Sequence, residues 1–207
     1  MFHPRALLTL TLGACLQAAA PIHLGCGFQV NAPLSDLKAD LNGKVGFGGS
    51  FQVSFELGEC GFVRSRFDMD NFPVSSHDRR GSNYHQEVGL NSAGLGADWL
   101  YAFSGNRNQG VYGLAGFGVL QWSQTITVTN HGNTSSWSST DFKKNRVSPW
   151  ISLGVGYQIT HLAGLELRGV ASRYDGPDTG GLQAPFTEVP TSLRMAVVAQ
   201  AALTLRW

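Results

Sequence analysis

Charged side chains are scarce in this chain of 207 residues: Asp, Glu, Lys and Arg together make up 14%, where ordinary soluble domains carry about 25%. No excess of one sign exists either. With 15 Lys+Arg against 14 Asp+Glu the formal net charge is +1, so the chain has no field that would gather nucleic acid, and no nucleic-acid partner is expected. Cysteine is equally sparse, and Cys15, Cys26 and Cys60 do not make a disulfide framework. The six histidines, at 3, 23, 77, 85, 131 and 161, include no pair at metal-ligand spacing. His77, Asp78 and His85 read as a solvated loop and not as a metal site. No glycine-rich phosphate loop opens a helix, so no cofactor is expected. Beyond the first twenty residues no apolar run approaches the ~18 residues of a membrane-crossing helix. If the chain enters a bilayer, it must do so as strands.

What is present begins with Met1, Phe2, His3, Pro4 and Arg5, followed by the apolar run Ala6 to Leu12 and a small-residue stretch ending at Ala20. That order is a secretory signal peptide, assigned to residues 1–18 with cleavage after Ala18, leaving a single domain over 19–207. A second reading takes Leu12, Gly13, Ala14 and Cys15 as a lipobox, with Cys15 lipidated.

From Ile22 onward the hydrophobic pattern has period two, the signature of strands with two distinct faces. Ile22, Leu24, Cys26, Phe28 and Val30 share one face. Phe47, Phe51, Val53, Phe55 and Leu57 share another, opposite Ser50, Gln52, Ser54 and Glu56. A third segment, 61–69, sets Val63, Phe67 and Met69 against Arg64, Arg66 and Asp68. Further strands are predicted at about 86–102, 111–128, 146–159, 163–174 and 191–207, making eight in all. Short turns at 58–60, 103–110 and 160–162 alternate with longer polar loops at about 33–43, 70–85, 129–145 and 175–190. Cys26 and Cys60 fall on strands that are not neighbours or in the turn between two of them, so both are expected to be unpaired.

An eight-stranded antiparallel barrel has an interior just wide enough to be filled by side chains. The bulky apolar face therefore belongs outside and the small, polar face inside. The inner face would gather Glu56, Arg64, Arg66, Asp68, Asp98, Glu166, Arg168, Arg194, Gln200 and Arg206 as a salt-bridged lumen. Trp99, Tyr101, Tyr112, Tyr157 and Trp207 are expected to form an aromatic girdle near the short turns, with Trp122 and Phe47 in a second girdle. Leu203, Leu205 and Trp207 close the last strand as alternate apolar residues ending in an aromatic. This resembles the C-terminal signal read by the barrel-assembly machinery. Taken with the signal peptide and the strand count, the chain resembles the small OmpA/OmpX-type barrels of the outer membrane protein β-barrel domain family.

The resemblance implies an eight-stranded transmembrane β-barrel in the bacterial outer membrane. It also implies outer-membrane lipid and the assembly machinery as partners, and termini in the periplasm. It further implies a non-enzymatic scaffold whose outer loops meet an unknown extracellular ligand, with adhesion, envelope integrity or minor porin-like solute passage as roles. Two other readings stand beside it. A soluble periplasmic lipocalin-like barrel binding an apolar ligand would place the apolar face inside. A lipid A-modifying enzyme would need a His and a Ser together, and His131 with Ser135 or Ser136 is the nearest approach.

Overall fold

A computed structural model describes residues 21–58, 60–78, 84–104, 109–131, 137–176 and 193–207. The signal segment lies outside these residues. The elements in chain order are β1 (Ile22–Leu34), α1 (Ser35–Asp40), β2 (Gly46–Leu57), β3 (Gly61–Asp78), β4 (Tyr84–Ala102), β5 (Gly110–His131), β6 (Trp137–Gln158), β7 (Ala163–Tyr174) and β8 (Arg194–Arg206). Each strand pairs antiparallel with its sequence neighbour, and β8 returns to β1, so the sheet closes as an eight-stranded barrel. Full closure leaves no edge strand. The seam is tied at its end by backbone bonds between Trp207 and Leu24 in both directions, at 2.9 and 3.1 Å.

The two faces of the sheet follow from period two, and they separate as the alternation requires. Outward residues include Phe51, Phe67, Leu95, Phe117, Ile151, Leu167 and Leu203, all exposed, with Leu153 at 72%. Arg64, Arg66, Asp68, Asp98, Glu166 and Arg168 are buried inside. A soluble ligand-binding barrel would have the opposite arrangement. On β6 the exposed apolar face runs from Val147 to Tyr157. At ~3.4 Å per residue that is ~34 Å of strand, or ~26 Å along the axis for a ~40° tilt, close to the ~25 Å band of membrane barrels.

Three expectations about the ends need correction. The stretch 33–43 is not an open loop: it contains α1, whose Leu37, together with Leu41 just beyond the helix, is fully buried in the mouth of the barrel. Segments 70–85 and 129–145 are largely strand, since β3 to β6 run on for 18, 19, 22 and 22 residues, against 12 or 13 elsewhere. Their continuation is held by a further apolar cluster of Val88, Ile126 and Val128, with Phe142 against it. A register shift between Phe72 and Ser75 interrupts the β3–β4 ladder. Pro73 lies inside it, where its missing N–H costs no ladder bond.

Tyr112 and Trp122 also face inward. Tyr112 is 7% exposed and Trp122 4%, so neither belongs to an outer girdle. Trp99, Tyr101, Tyr157 and Trp207 are exposed at the end that holds the chain termini, and Phe47 is exposed towards the other.

Candidate functional site in the barrel lumen

The lumen is layered. Nearest the termini lies an apolar layer of Phe62, Leu100, Tyr112 and Leu114. A belt of charge crosses the middle. Beyond it a larger apolar layer, with Phe72, Leu90, Trp122, Trp150 and Tyr174, reaches up to Leu37 and Leu41. Bulky apolar side chains thus do enter the bore. They fit because glycines on adjacent strands make room for them. A Cβ on Gly118 would meet the Trp150 indole at 2.8 Å, and one on Gly156 would meet the Tyr112 ring at 2.2 Å. Both pairs are direct neighbours in register.

The charge belt is built from alternate residues on β3, β4 and β7. Arg64 is its hub. Its Nε and Nη2 donate to Asp98 Oδ2 at 3.1 and 2.7 Å, and its Nη1 and Nη2 donate to Glu166 at 2.5 and 3.0 Å. Tyr112 Oη donates to Glu166 Oε1 at 2.7 Å. Arg66 is held by Asp68 through both nitrogens of its fork and lies 3.4 Å from Asp98. Arg168 stands 3.7 Å from both Asp68 and Asp98, donates to Gln200 at 2.6 Å and lies over the Trp150 ring. Three guanidinium groups therefore face three carboxylates. Bidentate, charge-assisted bonds of this kind offset part of the cost of removing each charge from water.

A fourth carboxylate, Asp70, is held by neutral donors instead. Gln29 and Asn31 each donate to its Oδ1 at 2.6 Å, and Ser92 donates to its Oδ2 at 3.3 Å. Asp70 lies one residue past the predicted end of the third strand, and Gln29, Asn31 and Gln52, although on the polar faces of their strands, carry no charge that would enrol them in a salt-bridged lumen. Their signal was parity: Gln29 and Asn31 continue the inner face of β1, and Asp70 continues that of Asp68.

The remaining charges assigned to the lumen stand apart from this belt. Glu56 is half-buried and pairs with His23 at 3.1 Å. Arg206 lies over the Phe62 ring in the layer near the termini. Arg194 is at the far rim, 3.4 Å from Asp40 of α1, whose other oxygen accepts from Tyr174 Oη at 2.5 Å. Those contacts fasten α1 across the mouth. Leu203, Leu205 and Trp207 are exposed on the outer wall of β8 and just past it. Cys26 and Cys60 are free. His85 lies 3.3 Å from Glu87, while the side chains of His77, Asp78 and His131, and residues Ser135 and Ser136, fall outside the described residues.

Space inside the bore is small. One cavity of about 20 Å³ lies between the belt and the far apolar layer, and another of about 40 Å³ lies between the belt and the termini. Voids of that size hold roughly one to three waters. Arg64, Arg66, Arg168 and their carboxylates fill the section between them. The belt thus has the chemistry of a structural plug: it orders three strands, closes the bore and holds its charges in fixed pairs.

At the far rim, outside the apolar band, Asp175 Oδ2 accepts from Lys144 at 2.8 Å and Arg146 at 2.9 Å. Burial pushes its carboxyl up, but the hydrogen bonds and charges of these two cations outweigh that and hold it below the ordinary Asp value.

An outward apolar band of bilayer height around a closed, charge-filled lumen makes this an outer-membrane type of eight-stranded β-barrel. No family model and no curated protein matches the chain. Solved structures with a similar course of the chain include the N-terminal β-barrel domain of Pseudomonas aeruginosa OprF, at 14% identity and TM-score 0.49, covering 89% of this chain and 97% of that one. Ail, the attachment invasion locus protein of Yersinia pestis, is 8% identical with TM-score 0.49, covering 91% and 99%. Neisserial surface protein A is 12% identical with TM-score 0.42, covering 90% and 97%.

Proposed function

We propose that the chain is a non-enzymatic protein of the bacterial outer membrane, a sealed barrel that anchors a contact surface on the outer side of the cell. The observation that carries this reading is the lumen. Its central section is occupied by paired arginines and carboxylates, and among the described residues the cavities on either side of them are about 20 and 40 Å³, room for a few waters. Such a bore transmits neither ions nor solutes at useful rates, so the porin-like reading falls behind the scaffold.

The contact surface is supplied by β3 to β6, which stand beyond the apolar band. β5 continues from Ser123 to His131, ~27 Å of strand at ~3.4 Å per residue. Its outward face there carries Thr125, Thr127 and Thr129, and Thr127 Oγ1 donates to Asp141 at 2.8 Å. A rigid, hydroxyl-rich wall of this kind suits adhesion to an extracellular partner. Leu203, Leu205 and Trp207 serve as the strip read by the barrel-assembly machinery, and residues 1–18 as the export signal.

The test is fractionation followed by electrical recording. The mature protein is expected to pellet with outer membranes and to migrate differently on gels before and after boiling. In planar bilayers it is expected to show no steady openings. Recovery in the soluble periplasmic fraction, or large stable conductance, would overturn the reading.

A further inference from the structure

We propose that the outer wall over β2 to β5 carries a binding site for the sugar headgroup of a membrane glycolipid, an inference that rests on the membrane placement above. On four neighbouring strands the outward apolar belt ends in an amide. Asn71, Asn91, Gln121 and Asn145 are the first polar outward residues beyond Met69, Ala93, Val119 and Val147, and all four are exposed. Asn71 lies opposite Asn91 in register, Asn91 opposite Ser123, and Ser123 opposite Asn145. None of these amides is hydrogen-bonded to another side chain among the described residues. In hydrocarbon such groups would be costly. At the edge of the apolar band they meet headgroups.

The wall is concave at this level. A groove of about 420 Å³ is lined by Phe47, Met69 and Ala93 together with the amides of Asn71, Asn91 and Gln121, with Phe47 paired across from Asn71 and Ala93 across from Gln121. That volume falls within the ~300–1,000 Å³ of small-molecule sites. No Lys or Arg lines it. The one charged residue along it, Asp70, turns its carboxylate inward to Gln29 and Asn31 in the lumen. A phosphate would call for a cation, whereas primary amides both donate and accept and so match neighbouring sugar hydroxyls. Phe47 and Met69 offer an apolar surface for the C–H face of a sugar ring and the start of an acyl chain.

The experiment uses the full mature chain in detergent micelles, incubated with lipid A or with lipid A stripped of its phosphates, and native mass spectrometry to measure retained lipid. One adduct is expected with either lipid, falling at least five-fold in Asn91→Leu/Gln121→Leu. Ala171→Leu, on the opposite wall, should retain it. Disappearance of the adduct on dephosphorylation would overturn the proposal, and so would full retention by the double variant. Absence of an adduct in a wild-type chain that inserts into phosphatidylcholine vesicles would refute the site alone. Failure of that chain to insert would remove the membrane placement and the site with it.

Discussion

Truncating Arg64 should be the most damaging single change in the belt, and the geometry says why. In Arg64→Ala, Asp98 keeps Arg66 at 3.4 Å and Arg168 at 3.7 Å. Glu166 loses both of its bonds to the guanidinium and is left with Tyr112. A buried carboxylate stripped of its cation costs about 3–5 kcal/mol. With a urea dependence of about 2 kcal/mol per M, the unfolding midpoint falls by about 2 M. Arg168→Ala should cost less, because its carboxylate contacts stand at 3.7 Å and Asp68 and Asp98 each keep a nearer arginine. Adding Glu166→Gln to Arg64→Ala removes the stranded charge and should restore more than half of the loss. The assay is equilibrium unfolding from lipid vesicles, followed by tryptophan emission and by gel mobility. Equal midpoints for the two arginine variants would refute the argument, as would a double variant no more stable than Arg64→Ala.

Gly156→Ala should destabilise by about 1–3 kcal/mol through overpacking against the Tyr112 ring; adding Tyr112→Leu should recover part of this, and strict additivity of the two effects would count against the contact. Ala199→Arg, placed towards lipid near mid-height, should cost about 2–4 kcal/mol, and Leu205→Arg, near the edge of the band, under about 1 kcal/mol; the reverse order would mean that the depth assignment is wrong. Asp175 has its carboxyl depressed by Lys144 and Arg146, so its contribution is complete above the unfolded Asp value of about 3.9 and is lost as pH falls through the lower folded value. Hydrogen exchange around Lys144 and Arg146 of β6 and at the end of β7 should accelerate only below about pH 4, and acceleration between pH 5 and 6 would contradict the pairing.

The strand count, the closure and the face of nearly every charged residue in the belt were legible in the sequence, because a period of two has no freedom: once Arg64 is inward, so are Arg66 and Asp68. Tyr112 and Trp122 were misplaced for a related reason. From Val111 to Leu120 of β5 both faces are apolar, aromatic or glycine, with Leu114 and Leu120 on one side and Phe117 and Val119 on the other, so no charged or amide residue marks the lumen there. For Tyr112 the mark is carried by the neighbouring strand, where Gly156 of β6 sits across from it. It can be read only once the register is known. The helix α1 was missed because six residues, Ser35–Asp40, are too few for a 3.6-residue repeat to emerge. The extra length of the hairpins lies mainly in 70–78 of β3 and 137–145 of β6, where polar residues predominate and too few apolar ones alternate to mark a buried face.

The seam between β1 and β8 has a consequence for the order of events in assembly. Gly25 pairs with Arg206 and Leu34 with Val197, so the first strand finds its second neighbour only after nearly the whole chain has been made. Contacts of such sequence separation form slowly, since the closing segment is long. Until β8 arrives, β1 and β7 each present a row of unpaired backbone donors and acceptors, which hydrocarbon does not tolerate. A half-built sheet therefore has no stable home in the bilayer. The strands must curl and close as they enter, and during the wait an open β1 is a template for pairing with another copy of the same chain.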